Sequence, residues 1–477
     1  MAMLDYAEQT LYERVADSML TMIRAGTFRP GDRVPSVRKL SRDLHVSVST
    51  VVDAYRLLES RGVIHSRPQS GFFVRARLTD QAPELPITRP KPVPSSFADE
   101  DLVIRVLHDS ANPRLIQFSA GVPNPEVLPL ARLNRALAAA TRKYKTKAHG
   151  YDIVPGWKPL REQIAQRLIA SGCTLSPDEI LTTCGCQEAL SLALRAICKP
   201  GDVVAIESPT YYGVLQALEL QGLRALEIPT DPRDGLILGE LEALLDQHPV
   251  RAILATPNFG NPLGSLMPEA SKKRLTELAA RYETPVIEDD IYGELAYSGR
   301  RPSSLMAHDA AGMVVQCSSF SKTIAPGFRV GWIVPGRYQR EVERLKFAST
   351  VSTPTLPQMV LAEFLQSGGF EHVLRQQQKA YEGHIERFVD AVTRHFPVGT
   401  GVSRPQGGYV LWVALPKHID TESLYDLAVA RGVTYTPGVA FSAQRGYRSY
   451  LRLNASRWTE RTEEGLAILG QLMSAMR

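Results

Sequence analysis

The chain has 477 residues, of which 44% are hydrophobic and 22% are charged, so it has the composition of a globular protein with more than one domain. The sequence contains no run of eighteen apolar residues, so no transmembrane helix is predicted. Its N-terminus lacks the apolar core of a signal peptide, so none is predicted. Five cysteines without a C-x-x-C pair argue against a disulfide framework or a zinc site. We therefore expect a cytoplasmic protein that holds no metal and does not enter a membrane.

The excess positive charge lies at the N-terminal end of the chain. Residues 1–77 hold twelve lysines and arginines against eight acidic residues, whereas the rest of the chain is nearly balanced. This asymmetry favours an anionic partner for the N-terminal segment, although so small an excess also fits an ordinary solvated surface.

The N-terminal segment has the pattern of three helices and a hairpin. Apolar residues at helical spacing predict a first helix over residues 9–24. Ser36 is a suitable N-cap for a second helix over residues 37–44, and a third helix is predicted from Val48 through Ser60. The run VIHSRPQSGFFVR then predicts a β-hairpin. Together these elements predict an α+β winged helix-turn-helix.

The side chains of this segment suit a DNA-binding surface. Small hydroxyl residues, Ser47, Ser49 and Thr50, stand where the third helix begins, and free N–H groups there can approach phosphates and bases. Arginines around them can contact phosphates, and a glycine at the wing tip permits approach to a minor groove. The glycine is Gly71, and the arginines are Arg33, Arg38, Arg42, Arg56 and Arg67. Any helical hairpin with a serine-rich turn would show a similar pattern.

The run FRPGDRVPSVRKLSRDLHVSVSTVVDAYRLLESRGVIHSRPQSGFFV resembles the DNA-binding domain of the GntR family over about seventy residues. Its PG-x-R-x-PS-x-R-x-L, V-S-x-x-T-V and S-G-x-F/Y-V patterns are all present. The resemblance implies a domain over residues 1–77 that binds double-stranded operator DNA. It places the following residues at or near that DNA: Arg33, Ser36, Arg38, Ser47, Ser49, Thr50 and Gly71.

A proline-rich stretch separates this segment from the remainder of the chain. Prolines at 83, 86, 90, 92 and 94 disfavour helix and sheet and favour an extended, semi-rigid spacer, so we predict a linker over residues 78–110.

From residue 111 to 477, short apolar runs alternate with helical stretches. The runs lie at 203–208, 252–257, 286–290 and 313–320, and each ends in polar or small residues. This alternation predicts an α/β fold of buried parallel strands with crossover helices. Ligands of such folds bind at the carboxyl ends of the strands, so the polar residues there are the candidate site.

Lys322 follows one of these runs, in the sequence SSFSKTIAPGFRVGW. A lysine by itself is normally a solvated surface charge, but this one has Ser319, Ser321 and Arg329 nearby in sequence. Two hydroxyls and a guanidinium suit a phosphate ester, and an amine beside them suits a Schiff base with an aldehyde cofactor. Asp289, at the end of another run, can pair with a protonated pyridine nitrogen.

Other polar groups fit the same cofactor. Tyr292 and Asn261 can each donate a hydrogen bond to a phenolate ring oxygen. The Gly185-Cys186-Gln187 sequence precedes a predicted helix, whose N-terminal amides can bind phosphate. Taken singly, each of these features is ordinary strand-end or helix-end polarity.

The large segment resembles the fold-type I pyridoxal-phosphate enzymes, specifically the class I/II aminotransferases, over about 370 residues. The shared motifs, in chain order, are FSAGVPNPEVLP, a Gly-Tyr before PGWKPLREQIA, G-C-Q, ESPTYYG, NP-x-G, D-D-x-Y, S-x-S-K with an arginine seven residues later, PQGGYVLWV and RLN. The resemblance implies pyridoxal 5'-phosphate as the cofactor.

It also implies roles for individual residues. Lys322 would form the Schiff base, Asp289 would pair with the pyridine nitrogen, and Tyr211 would stack on the ring. Asn261 and Tyr292 would bond the ring oxygen. The phosphate would be held by Gly185, Cys186, Gln187, Ser319, Ser321 and Arg329, with Tyr151 contributed by a partner subunit. Arg452, with Gly121 beside it, would bind the carboxylate of a substrate or effector. Cys186 departs from the usual serine or alanine but still offers its backbone N–H.

The combination of a GntR-like domain, a proline-rich linker and an aminotransferase-like domain resembles the MocR subfamily of transcription regulators. That resemblance implies a homodimer whose DNA binding responds to an amine, an amino acid or the cofactor itself. The sequence leaves a second interpretation open, a working aminotransferase with an accessory DNA-binding domain. A sensor and an enzyme need the same lysine, aspartate, tyrosine, asparagine and arginine, while the intact recognition helix and wing favour the regulator.

Overall fold

The structure, a computed structural model, describes residues 10–24, 27–28, 31–60, 63–67, 70–74, 83, 85–97 and 100–476. The chain divides into two compact units, Met1–Ala82 and Pro83–Arg477. The first is α+β and the second is α/β, which are the predicted fold classes. Within the described residues, no helix has the length and apolar character that crossing a membrane requires.

The described residues of the first unit form three helices and a two-stranded hairpin. Its elements are helices α1 (Leu11–Arg24), α2 (Val37–Asp43) and α3 (Val48–Ser60) and strands β1 (Ile64–Arg67) and β2 (Gly71–Val74). Ser36 caps α2 as predicted, because its side chain accepts a hydrogen bond from the Lys39 N–H at 3.3 Å. Met19, Leu40, Tyr55 and Leu58 are buried in its core. The three helices begin and end within two residues of the predicted positions.

The proline-rich stretch does not separate the two units along its whole predicted length. Residues 83–110 belong to the second unit, and Glu100–Ser110 form helix α4 with Leu102, Val103 and Val106 buried. The linker predicted over residues 78–110 is therefore too long at its C-terminal end. The prolines that disfavour a helix end at residue 94. The apolar residues of the segment that forms α4 recur at the spacing of a helix with one buried face.

The helices of the second unit pack against a large sheet, against the smaller sheets or against one another. They are α4, α5 (Leu130–Tyr144), α6 (Lys158–Leu168), α7 (Cys186–Ile197), α8 (Tyr212–Leu220), α9 (Leu238–Gln247), α10 (Glu269–Arg281), α11 (Gln339–Thr350), α12 (Thr355–Gln366), α13 (Phe370–His395), α14 (Thr421–Ala430) and α15 (Glu460–Ala475). The strands of the large sheet are β4 (Leu181–Thr183), β5 (Val203–Ser208), β6 (Arg224–Asp231), β7 (Gly235–Leu236), β8 (Val250–Ala255), β9 (Val286–Asp289), β10 (Val314–Ser319) and β11 (Gly331–Val334).

The large sheet has the strand order β4-β11-β10-β9-β8-β5-β6-β7. Strands β10, β9, β8, β5 and β6 run parallel, so their carboxyl ends lie along one edge. Every residue of β5, β9 and β10 is buried, which explains why these strands are continuous apolar runs in the sequence. The polar residues at their ends are thereby brought to one edge of the sheet.

Two smaller sheets complete the second unit. Strands β12 (Gly401–Val402), β13 (Val410–Ala414), β15 (Thr436–Pro437) and β16 (Tyr450–Asn454) form an antiparallel sheet in the order β12-β13-β16-β15. Strands β3 (Ile116–Gln117) and β14 (Val433–Thr434) pair in parallel. Strand β16 carries Arg452, which reaches the edge of the large sheet at Asn261.

Candidate cofactor and effector site

Lys322 lies just beyond β10, and its amine is held by a backbone carbonyl. The Lys322 Nζ donates to the Gly121 carbonyl oxygen at 2.6 Å. Burial, together with the positive charge of Arg452, lowers the pKa of this amine to about 8. Near neutral pH a much larger fraction of Lys322 is therefore neutral than of an ordinary lysine, and the neutral amine is the form that adds to an aldehyde.

Asp289 ends β9 and is 6% exposed. Its Oδ1 accepts hydrogen bonds from the Ile291 N–H at 3.2 Å and from the Cys186 thiol at 3.4 Å. Burial raises the pKa of the Asp289 carboxyl to about 6, and these two donors oppose the rise. The carboxyl is thus mostly ionised at pH 7 and can pair with a protonated ring nitrogen.

An anion cradle is formed where β4 leads into α7. Gly185 precedes the helix with φ +85°, and a Cβ at this position would lie 2.4 Å from the Arg329 Nη2. Only glycine allows the guanidinium to approach so closely. Arg329 donates to the Cys184 carbonyl oxygen at 3.1 Å and to the Ser321 Oγ at 3.4 Å. A helix N-terminus, a guanidinium and a serine hydroxyl together suit a phosphate group.

Arg452 is fully buried and is bonded only to uncharged partners. Its guanidinium donates to the Asn261 Oδ1 at 3.3 Å, to the Thr436 Oγ1 at 2.9 Å and to the Ser119 carbonyl oxygen. Among the described residues its hydrogen-bond partners include no carboxylate, and its Nε has no hydrogen-bond partner. A Cβ on Gly121 would lie 3.1 Å from the Arg452 Nη1, so glycine leaves room for the guanidinium at this position. A buried cation of this kind suits a carboxylate ligand.

Aromatic residues complete the walls of the site. The Lys322 Nζ lies 5.6 Å from the centre of the buried Tyr292 ring. The Tyr211 ring packs on Tyr212 with ring centroids 4.6 Å apart. Burial raises the pKa of the Tyr211 hydroxyl; the charge of Asp289 also raises this pKa, and the charge of Arg452 lowers it. The Gln187 amide donates to the Gly213 carbonyl oxygen at 2.7 Å, so its side chain holds α7 to α8.

One predicted site residue lies outside this cluster. Tyr151 is 84% exposed, in the segment between α5 and α6. Its predicted place in the site depends on a second subunit, and that role stays a prediction.

The predicted DNA-facing residues lie on the surface of the first unit. Ser47 caps α3 by accepting from the Thr50 N–H at 3.1 Å, and its hydroxyl also bonds those of Ser49 and Thr50. The Arg33 guanidinium lies against Gly71 at the start of β2, since a Cβ there would be 3.2 Å from the Arg33 Nε. Of the remaining predicted residues, Ser36, Arg38 and Arg56 are exposed, and Arg56 pairs with Asp53 at 3.6 Å.

Sequence reasoning missed two groups at the site. Glu207, on β5, is buried, its Oε1 has no partner, and burial raises the pKa of its carboxyl to about 8. Tyr409 donates to the Gly121 carbonyl oxygen at 3.3 Å. Both residues lie inside motifs that identified the family, ESPTYYG and PQGGYVLWV, so the motifs held a signal for them. Their roles depend on three-dimensional neighbours that a motif does not specify.

The donors of the site fit pyridoxal phosphate. The cradle around Gly185 suits the phosphate, and Asp289 suits the ring nitrogen. Lys322 suits the aldehyde, and Asn261 and Tyr292 lie near these groups. Fold and site together define the class, a winged helix-turn-helix joined to an α/β unit of the pyridoxal-phosphate transferase type.

Known proteins place the chain within that class. The family model for aminotransferase class I and II matches residues 113–468, and that for bacterial regulatory proteins of the gntR family matches residues 11–74. The uncharacterized HTH-type transcriptional regulator YjiR of Escherichia coli is 38% identical over 97% of this chain and 98% of that protein. The probable rhizopine catabolism regulatory protein MocR of Rhizobium meliloti is 28% identical over 90% of this chain and 87% of that protein.

Among solved structures, the kynurenine aminotransferase of Pyrococcus horikoshii in complex with PMP is 33% identical, with a TM-score of 0.74, over 79% of this chain and 95% of that chain. The chain belongs to the aminotransferase class I and II family, with a GntR-family domain ahead of it, the combination found in the MocR subfamily. The predicted resemblances are confirmed.

The lowered pKa of Lys322 makes cofactor attachment pH-dependent. The rate at which pyridoxal phosphate attaches should rise with a midpoint near pH 8, because only the neutral amine adds to the aldehyde. Arg452→Gln removes a positive charge that lowers this pKa, so the midpoint should move upward. Stopped-flow absorbance measures both, and Arg142→Gln, on the exposed face of α5, is the control. A wild-type midpoint near 10, the ordinary lysine value, would contradict this account.

Proposed function

We propose that the protein is a transcriptional regulator of the MocR type that binds operator DNA through its first unit and pyridoxal phosphate through its second. An amine, an amino acid or the cofactor itself then alters the affinity for DNA. The presence of both a winged helix with exposed arginines and a complete cofactor cradle on one chain carries this proposal. The relatives that are named as regulators align with this chain over 97% and 90% of its length, which supports the proposal.

The proposal assigns a role to each group of the site. Lys322 holds the cofactor covalently through its amine, Asp289 holds a proton on the ring nitrogen, and Tyr211 covers the ring. Asn261 and Tyr292 bond the ring oxygen, and Arg452 binds the carboxylate of an amino acid. The phosphate is bound by Gly185, Cys186, Gln187, Ser319, Ser321 and Arg329. When bound, pyridoxal phosphate supplies an aldehyde that exchanges one amine for another, which is how an amino-acid effector can be recognised.

The second unit also holds the segment that leads away from the DNA-binding domain. This segment, residues 85–97, is called the strap here. The Lys91 N–H donates to the Gln444 Oε1 at 3.0 Å, and the Gln444 amide donates to the Lys91 carbonyl oxygen at 2.8 Å. Ser95 and Ala225 exchange two backbone hydrogen bonds of 2.8 Å, so the strap is also tied to the edge of β6.

The loop that binds the strap is connected to the site. The buried Glu227 carboxylate accepts from the Ser442 hydroxyl at 3.1 Å and from the Ala443 N–H, next to Gln444. The Phe441 ring, just before these residues, lies 5.6 Å from the Arg452 guanidinium carbon. A carboxylate that binds Arg452 therefore acts within a short distance of the loop that holds the strap. A change in the position of this loop would move the strap, which is joined through the chain to the DNA-binding unit.

A homodimer is part of the same proposal. Operator sites of helix-turn-helix proteins are commonly two half-sites read by two copies of the domain. The high exposure of Tyr151 is consistent with its insertion into the site of a partner subunit. Light scattering of the full-length protein measures the number of subunits.

The exposed Arg38 should contribute to binding through DNA phosphates. Arg38→Ala should weaken binding to all sequences alike and reduce the slope of log affinity against log salt by about one. Gel shifts or fluorescence anisotropy with the intergenic DNA upstream of the gene measure both, and Arg142→Ala on the second unit is the control. An unchanged salt slope would show that Arg38 faces away from DNA.

Release of the strap should weaken the coupling without weakening either binding event. Gln444→Ala removes two hydrogen bonds to Lys91, together worth about 1–3 kcal/mol. The change in DNA affinity on adding pyridoxal phosphate and an amino acid should therefore shrink, while cofactor absorbance stays normal. Gln166→Ala, on the exposed face of α6, is the control. A full response in Gln444→Ala would exclude the strap as the connection.

A working aminotransferase is the second candidate function, favoured by the complete set of Lys322, Asp289, Tyr292, Asn261 and Arg452. Turnover with a panel of amino donors and 2-oxoglutarate separates the two. We expect rates well below the usual enzyme range of about 1–1000 s⁻¹. Rates within that range would make the aminotransferase the main function.

A further inference from the structure

The hydrogen bonds that hold the Asp289 carboxylate fall on one of its two oxygens. Oδ1 accepts from the Ile291 N–H at 3.2 Å and from the Cys186 thiol at 3.4 Å. An ionised carboxylate can only accept, and a thiol has a single proton, so Cys186 is the donor of this bond. Among the described residues no hydrogen bond reaches the other oxygen, Oδ2. That oxygen is available to a ligand.

Cys186 differs in this respect from another thiol beside Asp289. Cys317 stands opposite Asp289 on the neighbouring strand β10, and both cysteines are buried. Within the described part of the chain the Cys317 thiol makes no hydrogen bond, so it packs as a small apolar group. The proton of the Cys186 thiol is instead directed at a carboxylate. Packing therefore accounts for Cys317 but not for the thiol proton of Cys186.

The position of Cys186 is fixed by main-chain packing. Cys186 is the first residue of α7 and follows Gly185. On β11, a Cβ at Gly331 would lie 2.7 Å from the Gly185 carbonyl carbon and 2.9 Å from the Cys186 nitrogen, so only glycine lets the strand approach this closely. The N–H of a first helical residue has no partner within its helix, so it is one of the amides of the cradle around Gly185. One residue thus offers its N–H to the cradle and its thiol to Asp289.

We propose that Cys186 is a positioning residue of the cofactor site, which acts through Asp289. Its thiol holds Oδ1 and so fixes the rotation of the carboxylate, which leaves Oδ2 to accept a hydrogen bond from the protonated ring nitrogen of pyridoxal phosphate. Because Cys186 also begins α7, its thiol sets the Asp289 carboxylate at a constant place relative to the phosphate cradle. This inference rests on the role proposed for Asp289 above.

The same bond favours the ionised form of the carboxyl. Burial raises the pKa of Asp289 to about 6, and the two donors at Oδ1, the Cys186 thiol foremost, oppose that rise. Only the ionised carboxyl can pair with a protonated ring nitrogen. Loss of the thiol should therefore raise the pKa of Asp289 further and make its ionised form scarcer near neutral pH.

The S–H stretching band in the infrared reports the hydrogen bond itself, in the protein without cofactor. The wild-type spectrum minus that of Cys186→Ala isolates the Cys186 band, and Cys317→Ala isolates the Cys317 band in the same way. A hydrogen-bonded thiol stretches at lower frequency, so the Cys186 band should lie below the Cys317 band. It should move to higher frequency as the pH falls through about 6, because a protonated Asp289 is a weaker acceptor. In Asp289→Asn the band should no longer respond to pH.

The affinity for pyridoxamine phosphate measures the consequence for binding. This probe has the ring and the phosphate of the cofactor but no aldehyde, so its binding does not require attack by Lys322. The affinity should fall as the pH drops through the pKa of Asp289, and in Cys186→Ala the midpoint of that fall should lie about 0.5–1 pH unit higher. Cys317→Ala, the matched loss of a buried thiol, should leave the midpoint unchanged. The titrations of the probe itself are common to all three proteins.

Each measurement has a result that would overturn the inference. A Cys186 band at the frequency of the Cys317 band, or one that does not respond to pH, would show that the thiol is not bonded to Asp289. An unchanged midpoint in Cys186→Ala, or an equal shift in Cys317→Ala, would show that the thiol does not act through Asp289. Wild-type affinity at every pH in Asp289→Asn would instead remove the role proposed for Asp289. Circular dichroism and thermal unfolding confirm that each variant is folded.

Discussion

A buried guanidinium without a carboxylate partner is the constraint around which the second unit is organised. Arg452 is fully buried, and the described residues that bond it are a backbone carbonyl, a hydroxyl and an amide. An unpaired charge is costly inside a protein, and it is tolerated where a ligand supplies the opposite charge. The same charge lowers the pKa of Lys322 and so favours the neutral form of its amine. The residue proposed to bind a carboxylate therefore also influences the amine proposed to bind the cofactor.

The position of Arg452 in the fold extends this link. It stands on β16, whose first residue, Tyr450, stacks on Trp412 and contacts the strap through Thr88 at 3.4 Å. Two residues of the neighbouring loop, Ser442 and Ala443, are held by Glu227, and Gln444 holds the strap. A ligand bound at Arg452, as proposed above, would therefore lie close to the loop that holds the strap. Allosteric coupling needs contacts that differ between two states, and the strap is the route proposed for them here.

Much of this arrangement could be predicted from the sequence. Buried parallel strands are continuous apolar runs, so β5 was predicted residue for residue and Asp289 and Lys322 were located at strand ends. The docking of the strap could not be predicted, because proline content indicates an extended chain but not the surface that binds it. The bond between the Cys186 thiol and Asp289 joins residues 103 positions apart, and that between Tyr409 and Gly121 joins residues 288 apart. Such contacts depend on the assembled sheets. The alternative roles of the protein were left open because a sensor and an enzyme require the same groups.

The most direct test of this account is DNA affinity measured with and without ligand at the Lys322 site. Fluorescence anisotropy with the upstream intergenic DNA should be recorded for the free protein, with pyridoxal phosphate, and with pyridoxal phosphate and a panel of amino acids. The account predicts that at least one ligand state changes the affinity about fivefold or more, and that Lys322→Ala abolishes the change. Equal affinity in every state of the wild type, or the same change in Lys322→Ala, would contradict it.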